Sequence, residues 1–161
     1  MSIRRRMQAI IAAILAVVGI GFYANVEITK GATFHHLNYL HQKYATEVDT
    51  LVARAAEAEP GRNAAMLDTL ETAIRNTRAQ PVGCLETVNF ADVLVMRMIG
   101  TYEALEICRQ DIASADEGLA ALDAYRAGTQ DFAPTLDVLE DVAKVFVANS
   151  AAFAPLVAFT V

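Results

Sequence analysis

The chain has no tryptophan, and its 161 residues hold only 4 prolines, 8 glycines, 3 histidines and 2 cysteines. So few turn residues exclude an all-β sandwich. Charged residues make up 20% of the sequence and hydrophobic ones 55%, with a mean hydropathy of +0.32, which is too apolar for a disordered chain. Also missing are a Gly-rich phosphate loop, a G-x-S-x-G elbow, an H-E-x-x-H pair, a C-x-x-C-H haem site and a histidine with a second metal ligand one helical turn away. No enzyme, no cofactor and no metal site is therefore expected. The net charge is -6, and from Glu27 onward 10 basic side chains face 19 acidic ones, a balance of -9 that speaks against nucleic acid as a partner.

Long uncharged sequence is what the chain does have. Between Arg6 and Glu27 stand "MQAIIAAILAVVGIGFYANV", twenty residues that reach about 30 Å as a helix, the thickness of a bilayer's hydrocarbon core. Residues 1–6 are then a basic tip, 7–26 a transmembrane signal anchor and 27–161 an exported part. Arg4, Arg5 and Arg6 precede the run and only Lys30 closely follows it, which places the N-terminus in the cytoplasm. Phe22 and Tyr23 stand where an aromatic belt meets the outer interface. A cleaved signal peptide is the competing reading, but the cleavage position after Ala24 has Phe22 where a small residue is needed.

The exported part reads as all-α. Phe34, Leu37, His41, Tyr44, Val48, Leu51 and Ala55 recur at three-four spacing, which predicts a first helix over about 32–59 that packs on other helices. Pro60 and Gly61 break it, and Asn63 is a candidate N-cap. Leu67, Leu70, Ile74 and Thr77 predict a second helix over about 63–80, closed by Pro81 and Gly83. A short helix over about 89–99 is apolar on nearly every side and requires a cover. Thr101 is a candidate N-cap for a third helix with the seam Leu105, Cys108, Ile112, Ala115, Leu119, Leu122, ending near Gly128. Phe132, Leu136, Leu139, Ala143, Phe146, Ser150, Phe153 and Val157 mark a fourth, with Pro134 in its first turn. Four seams joined by short connections predict an antiparallel four-helix bundle with one short extra helix between helices 2 and 3. The apolar ending "FAPLVAFTV" fits either a return toward the bilayer or packing on the bundle end.

Few residues suggest chemistry. Cys84 and Cys108 invite a disulfide in an oxidising compartment, since folding the short helix back around Gly100 brings the two near each other; closure of that loop is worth about 3 kcal/mol. The competing reading makes Cys108 a small buried hydrophobe. His41 alone of the histidines lies on a seam, as a core polar group. Arg75, Arg78, Arg97 and Arg109 cluster around the connection between the second and third helices and form a candidate fork for a small anionic ligand such as a carboxylate. Arg97 among apolar neighbours needs a partner.

In layout, in the entry "SIRRRMQAIIAAILAVVGIGFY", and in "IRNTRAQPVGCLE" and "MRMIGTYEALEICRQDIASAD", the chain resembles the periplasmic sensor region of bacterial methyl-accepting chemotaxis receptors. The resemblance implies an inner-membrane protein with a periplasmic bundle, a homodimer, and a ligand at the dimer interface or within one bundle that shifts the fourth helix. The family's second membrane helix, HAMP relay and methylated coiled coil have no counterpart up to Val161. The alternative function is a single-pass accessory subunit of a larger membrane complex, with the insert 89–99 as its contact surface.

Overall fold

The computed structural model describes residues 3–57, 64–99 and 102–158, and within them it is all-helical. The helices are α1 (Ile3–Glu57), α2 (Ala64–Thr87), α3 (Phe90–Ile99), α4 (Glu103–Arg126) and α5 (Phe132–Ala158). Four of them close a ring: α1 packs on α2 and α5, and α4 packs on the same two. Neighbours run antiparallel. Arg78 pairs with Asp116 while Arg126 reaches back to Asp68 on α2, and Asn149 meets Asp111 while Tyr125 meets Phe132 between α4 and α5. His41 meets Ser150 while Asp49 and Val52 lie beside Lys144 and Glu140, which sets α1 against α5 in the same sense.

The predicted seams point inward. Val48, Leu70, Ile74, Leu122, Leu139 and Phe146 are fully buried in one core, and burial of a side chain the size of Phe146 is worth about 2–3 kcal/mol. Gly118 lies where α4 and α5 come closest, since a Cβ there would stand 3.3 Å from Val142. The end of α4 is closed as a Schellman motif. Gly128 takes φ +69, its N–H donates to the Tyr125 carbonyl and that of Thr129 to the Ala124 carbonyl.

Several boundaries differ from the sequence expectation. The first helix does not begin near 32: α1 is one helix of 55 residues that carries the basic tip, the apolar run and the ring segment without a break. The second does not stop at Pro81, which lies inside α2. Proline removes the N–H that would reach the Thr77 carbonyl, a penalty of about 3 kcal/mol in a helix interior, but the turn beyond it buries Cys84 and packs Leu85, and this burial outweighs the loss. The third bundle helix, for which Thr101 was the candidate N-cap, is α4 and has its N-cap position at Tyr102, whose side chain makes no cap bond. Thr101, Gly100 and the turn at 59–63 with Asn63 lie outside the described residues, as do the side chains of Phe34 and Val157.

The short helix is where it was expected, with a cap the sequence reading did not see. Asn89 accepts from the N–H groups of Ala91 and Asp92, and the Asp92 carboxylate accepts from the Asn89 N–H. Much of its described apolar surface is not covered by the ring. Phe90 is 85% exposed, Leu94 54% and Met98 78%, while Met96 packs against the cluster around Cys84 and Cys108. The apolar run of α1 is exposed as well, from Met7 through Ile14 and Leu15 to Phe22. Among the described residues no helix is long and apolar enough to cross a membrane. The run's described side chains are 7–22 and Ala24, short of the roughly 20 residues a span requires.

Candidate functional site

At the ring end nearest the apolar run, the seams carry polar groups. His41 on α1 and Ser150 on α5 were expected on their seams; Asp111 on α4 was not, and it is 2% exposed. His41 Nδ1 lies 2.8 Å from Ser150 Oγ, and its Nε2 lies 3.0 Å from Asp111 Oδ2 in an ion-pair contact that is not aligned as a hydrogen bond. Asp111 Oδ1 accepts from Asn149 Nδ2 at 2.8 Å. One carboxylate thus ties α4 to both α1 and α5.

The direction of these bonds follows from counting hydrogens. Ser150 spends its single hydroxyl proton on the Phe146 carbonyl at 2.8 Å, so Nδ1–H of His41 donates to Oγ. On its other side the ring turns Nε2 toward the Asp111 carboxyl group at 3.0 Å. A carboxyl group taken out of water needs polar partners within reach, and the His41 ring and the Asn149 amide supply them. The order Ser–His–Asp is that of a hydrolytic triad, yet the hydroxyl accepts from the imidazole instead of giving up its proton to it, which is opposite to the activation of a nucleophile.

A cavity of about 20 Å³, room for one water, adjoins this cluster and is lined by Leu37, His41, Pro81, Cys84, Cys108 and Asp111 among others. The buried Oδ1 of Asn38 also lines it and has no hydrogen-bond partner. Cys84 and Cys108 lie side by side here. Both cysteines are free and buried in this structure, and they share an apolar cluster with Ala104 and Phe153. Hydrogen bonding to Cys84, and then burial, push the Cys108 thiol well above the ordinary cysteine range, so it stays protonated. Proximity of the pair was legible in the sequence.

The four arginines do not converge as one fork. Arg75 and Arg78 border a surface hollow of about 590 Å³ together with Glu86 and Asp116. Each already has an acid: Arg75 pairs with Glu71 at 2.7 Å and Arg78 with Asp116 at 2.7 Å. Arg97 and Arg109 flank Tyr102 instead. Arg97 stacks over the ring at 4.7 Å, and Arg109 first, then Arg97, hold the phenol below its usual range by hydrogen bonding to its oxygen. Tyr102 is the partner that Arg97 required. Among the described residues no group of three or more metal-ligating side chains is placed to hold a metal ion.

Comparison with family models, with curated proteins and with solved structures finds no match for this chain.

Proposed function

We propose that this chain is a membrane-anchored sensor module of chemoreceptor type in a bacterial inner membrane. Its N-terminus is cytoplasmic, residues 7–26 span the bilayer, and an antiparallel four-helix bundle in the periplasm responds to a small ligand by shifting a helix. The reading rests on one observation above all: α1 is continuous from the exposed apolar run to His41, where it meets α4 and α5 through a buried charge. A rigid helix carries a displacement at the ring into the run without loss, and packed seams move between discrete arrangements instead of deforming smoothly. The twenty uncharged residues of the sequence and the exposure of the large apolar side chains described from Met7 to Phe22 support the anchor.

The hollow beside Arg75 and Arg78 supports an anionic ligand. A carboxylate that displaced Asp116 from Arg78 would loosen the contact between α2 and α4. No cofactor and no catalytic step enter this reading, and the module works as a homodimer. Native mass spectrometry of the protein extracted gently from its own membrane tests it. A dimer, with or without a small retained mass, is the expected result. One copy travelling with larger unrelated subunits would overturn the sensor and make the chain an accessory subunit of a membrane complex.

A further inference from the structure

The unpartnered face of α3 has a definite position relative to the apolar run. Phe90, Leu94 and Met98 recur every four residues, so they form one stripe along the ten-residue helix, and all three are more than half exposed. Away from that stripe, Met96 is partly buried against the cluster of Cys84, Ala104, Cys108 and Phe153. Leu37 of α1 packs against the same cluster, which places Met96 at the ring end from which the apolar run departs.

Height along α1 can be counted. A Cβ on Gly83 would touch Leu37, and α2, running against α1, continues four residues past Gly83 to Thr87 before the chain turns into α3. That point is level with about residue 33 of α1, seven residues beyond Val26, or about 10 Å at the helical rise. A helix with side chains has a radius of about 5–6 Å, and the headgroup layer on one side of a bilayer is about 5–7 Å thick. An α3 lying in the plane at that height bridges the remaining gap. Its C-terminal end supplies what that layer favours: the Tyr102 ring with its hydroxyl, and the exposed guanidinium groups of Arg97 and Arg109 beside it.

We propose that α3 is an in-plane helix seated on the outer lipid surface, with Phe90, Leu94 and Met98 in the headgroup–acyl boundary of the bilayer that holds the α1 run, and Arg97 at lipid phosphates. The proposal rests on the anchored reading above. It adds a second contact with the bilayer, through which the loop between α2 and α4 senses the lipid surface while the ring senses the solvent.

Absence of tryptophan makes the test direct, because each introduced indole reports its own position. Leu15→Trp, Phe90→Trp, Met98→Trp and Val147→Trp, all at exposed positions, are placed singly in the full chain and reconstituted in phosphatidylcholine vesicles containing phosphatidylglycerol. Lipids brominated either near the headgroup or deep in the acyl chain serve as quenchers. The expected result is loss of emission by deep bromines for Leu15→Trp, loss by shallow bromines with a blue shift for Phe90→Trp and Met98→Trp, and no loss for Val147→Trp. Quenching of Leu15→Trp with unquenched Phe90→Trp and Met98→Trp would overturn the in-plane helix and leave the anchor standing. An unquenched Leu15→Trp would overturn the anchor itself. Quenching of Val147→Trp along with the α3 positions would overturn the specific seating, because it would mean the whole ring adheres to lipid.

Discussion

At the ring end beside the apolar run, α1, α4 and α5 meet through a buried acid, a histidine ring, a hydroxyl and an amide, with two thiols and a water-sized cavity at their side. At the far end the same helices close with ordinary means. Tyr125 packs edge-on against Phe132, Gly128 turns the chain, and Arg126 gathers Glu71 and Asp68 at the surface. Both ends are held, but for different reasons. Solvent screens the ion pairs of the far end, so each of them is worth a fraction of a kcal/mol and is lost independently. The near end is dry, so its groups depend on one another, and a change in one is felt by three helices.

The sharpest way to break this contrast is Asp111→Ala. It strands the His41 ring and the Asn149 amide in the interior, and a loss of about 3–5 kcal/mol is expected in urea unfolding of the full chain in detergent, followed by circular dichroism. Replacing both His41 and Asp111 by leucine is expected to cost much less than the single change, since no buried charge then remains unpaired. A double variant as unstable as Asp111→Ala would mean that the pair does not act as a unit. Next in size is Gly128→Ala at the far end, where a left-handed φ is imposed on a residue with a Cβ. About 1–2 kcal/mol is expected in the same assay, without change at the polar cluster.

This contrast was only half legible beforehand. Three-four periodicity revealed every seam, because burial against neighbouring helices selects apolar residues at that spacing, and His41 and Ser150 stood visibly on seams. Asp111 and Asn149 did not stand out, since an acid or an amide in a helix usually faces water. A signal existed all the same: Asp111 lies between the seam residues Cys108 and Ile112, and two polar residues on other seams needed a partner. Pro81 misled for a related reason. Its local penalty is plain in the sequence, while the burial of Cys84 that outweighs it depends on Phe153, Ala104 and Leu37, far away in the chain. The Asn89–Asp92 cap has a weaker sequence signature than a Ser/Thr–Glu box, yet the Asp92 carboxylate reaches back to the Asn89 N–H all the same. The four arginines clustered in sequence, but helix rotation splits them between a hollow on α2 and the Tyr102 ring.

The smallest expected effect sharpens the comparison through pH. Arg126 first, and then Arg75, hold the Glu71 carboxyl below its ordinary range, so folding lowers this group's proton affinity. A depressed carboxylate contributes stability that is present above the unfolded-state value, near 4.3, and lost as pH falls through the lower folded value. Arg126→Ala removes the larger part of that depression. Because the pair is partly solvent-exposed, the variant is expected to lose only about 0.5–1 kcal/mol at pH 7, and less in high salt. Below the folded value of Glu71 the carboxyl is protonated in both proteins, and their stabilities should draw together. Asp111→Ala shares neither the salt dependence nor the small size, because the groups it strands are buried. A deficit in Arg126→Ala that stayed constant from pH 7 to below the carboxylate range would assign the far end's contribution to packing of the Arg126 stem instead of its charge.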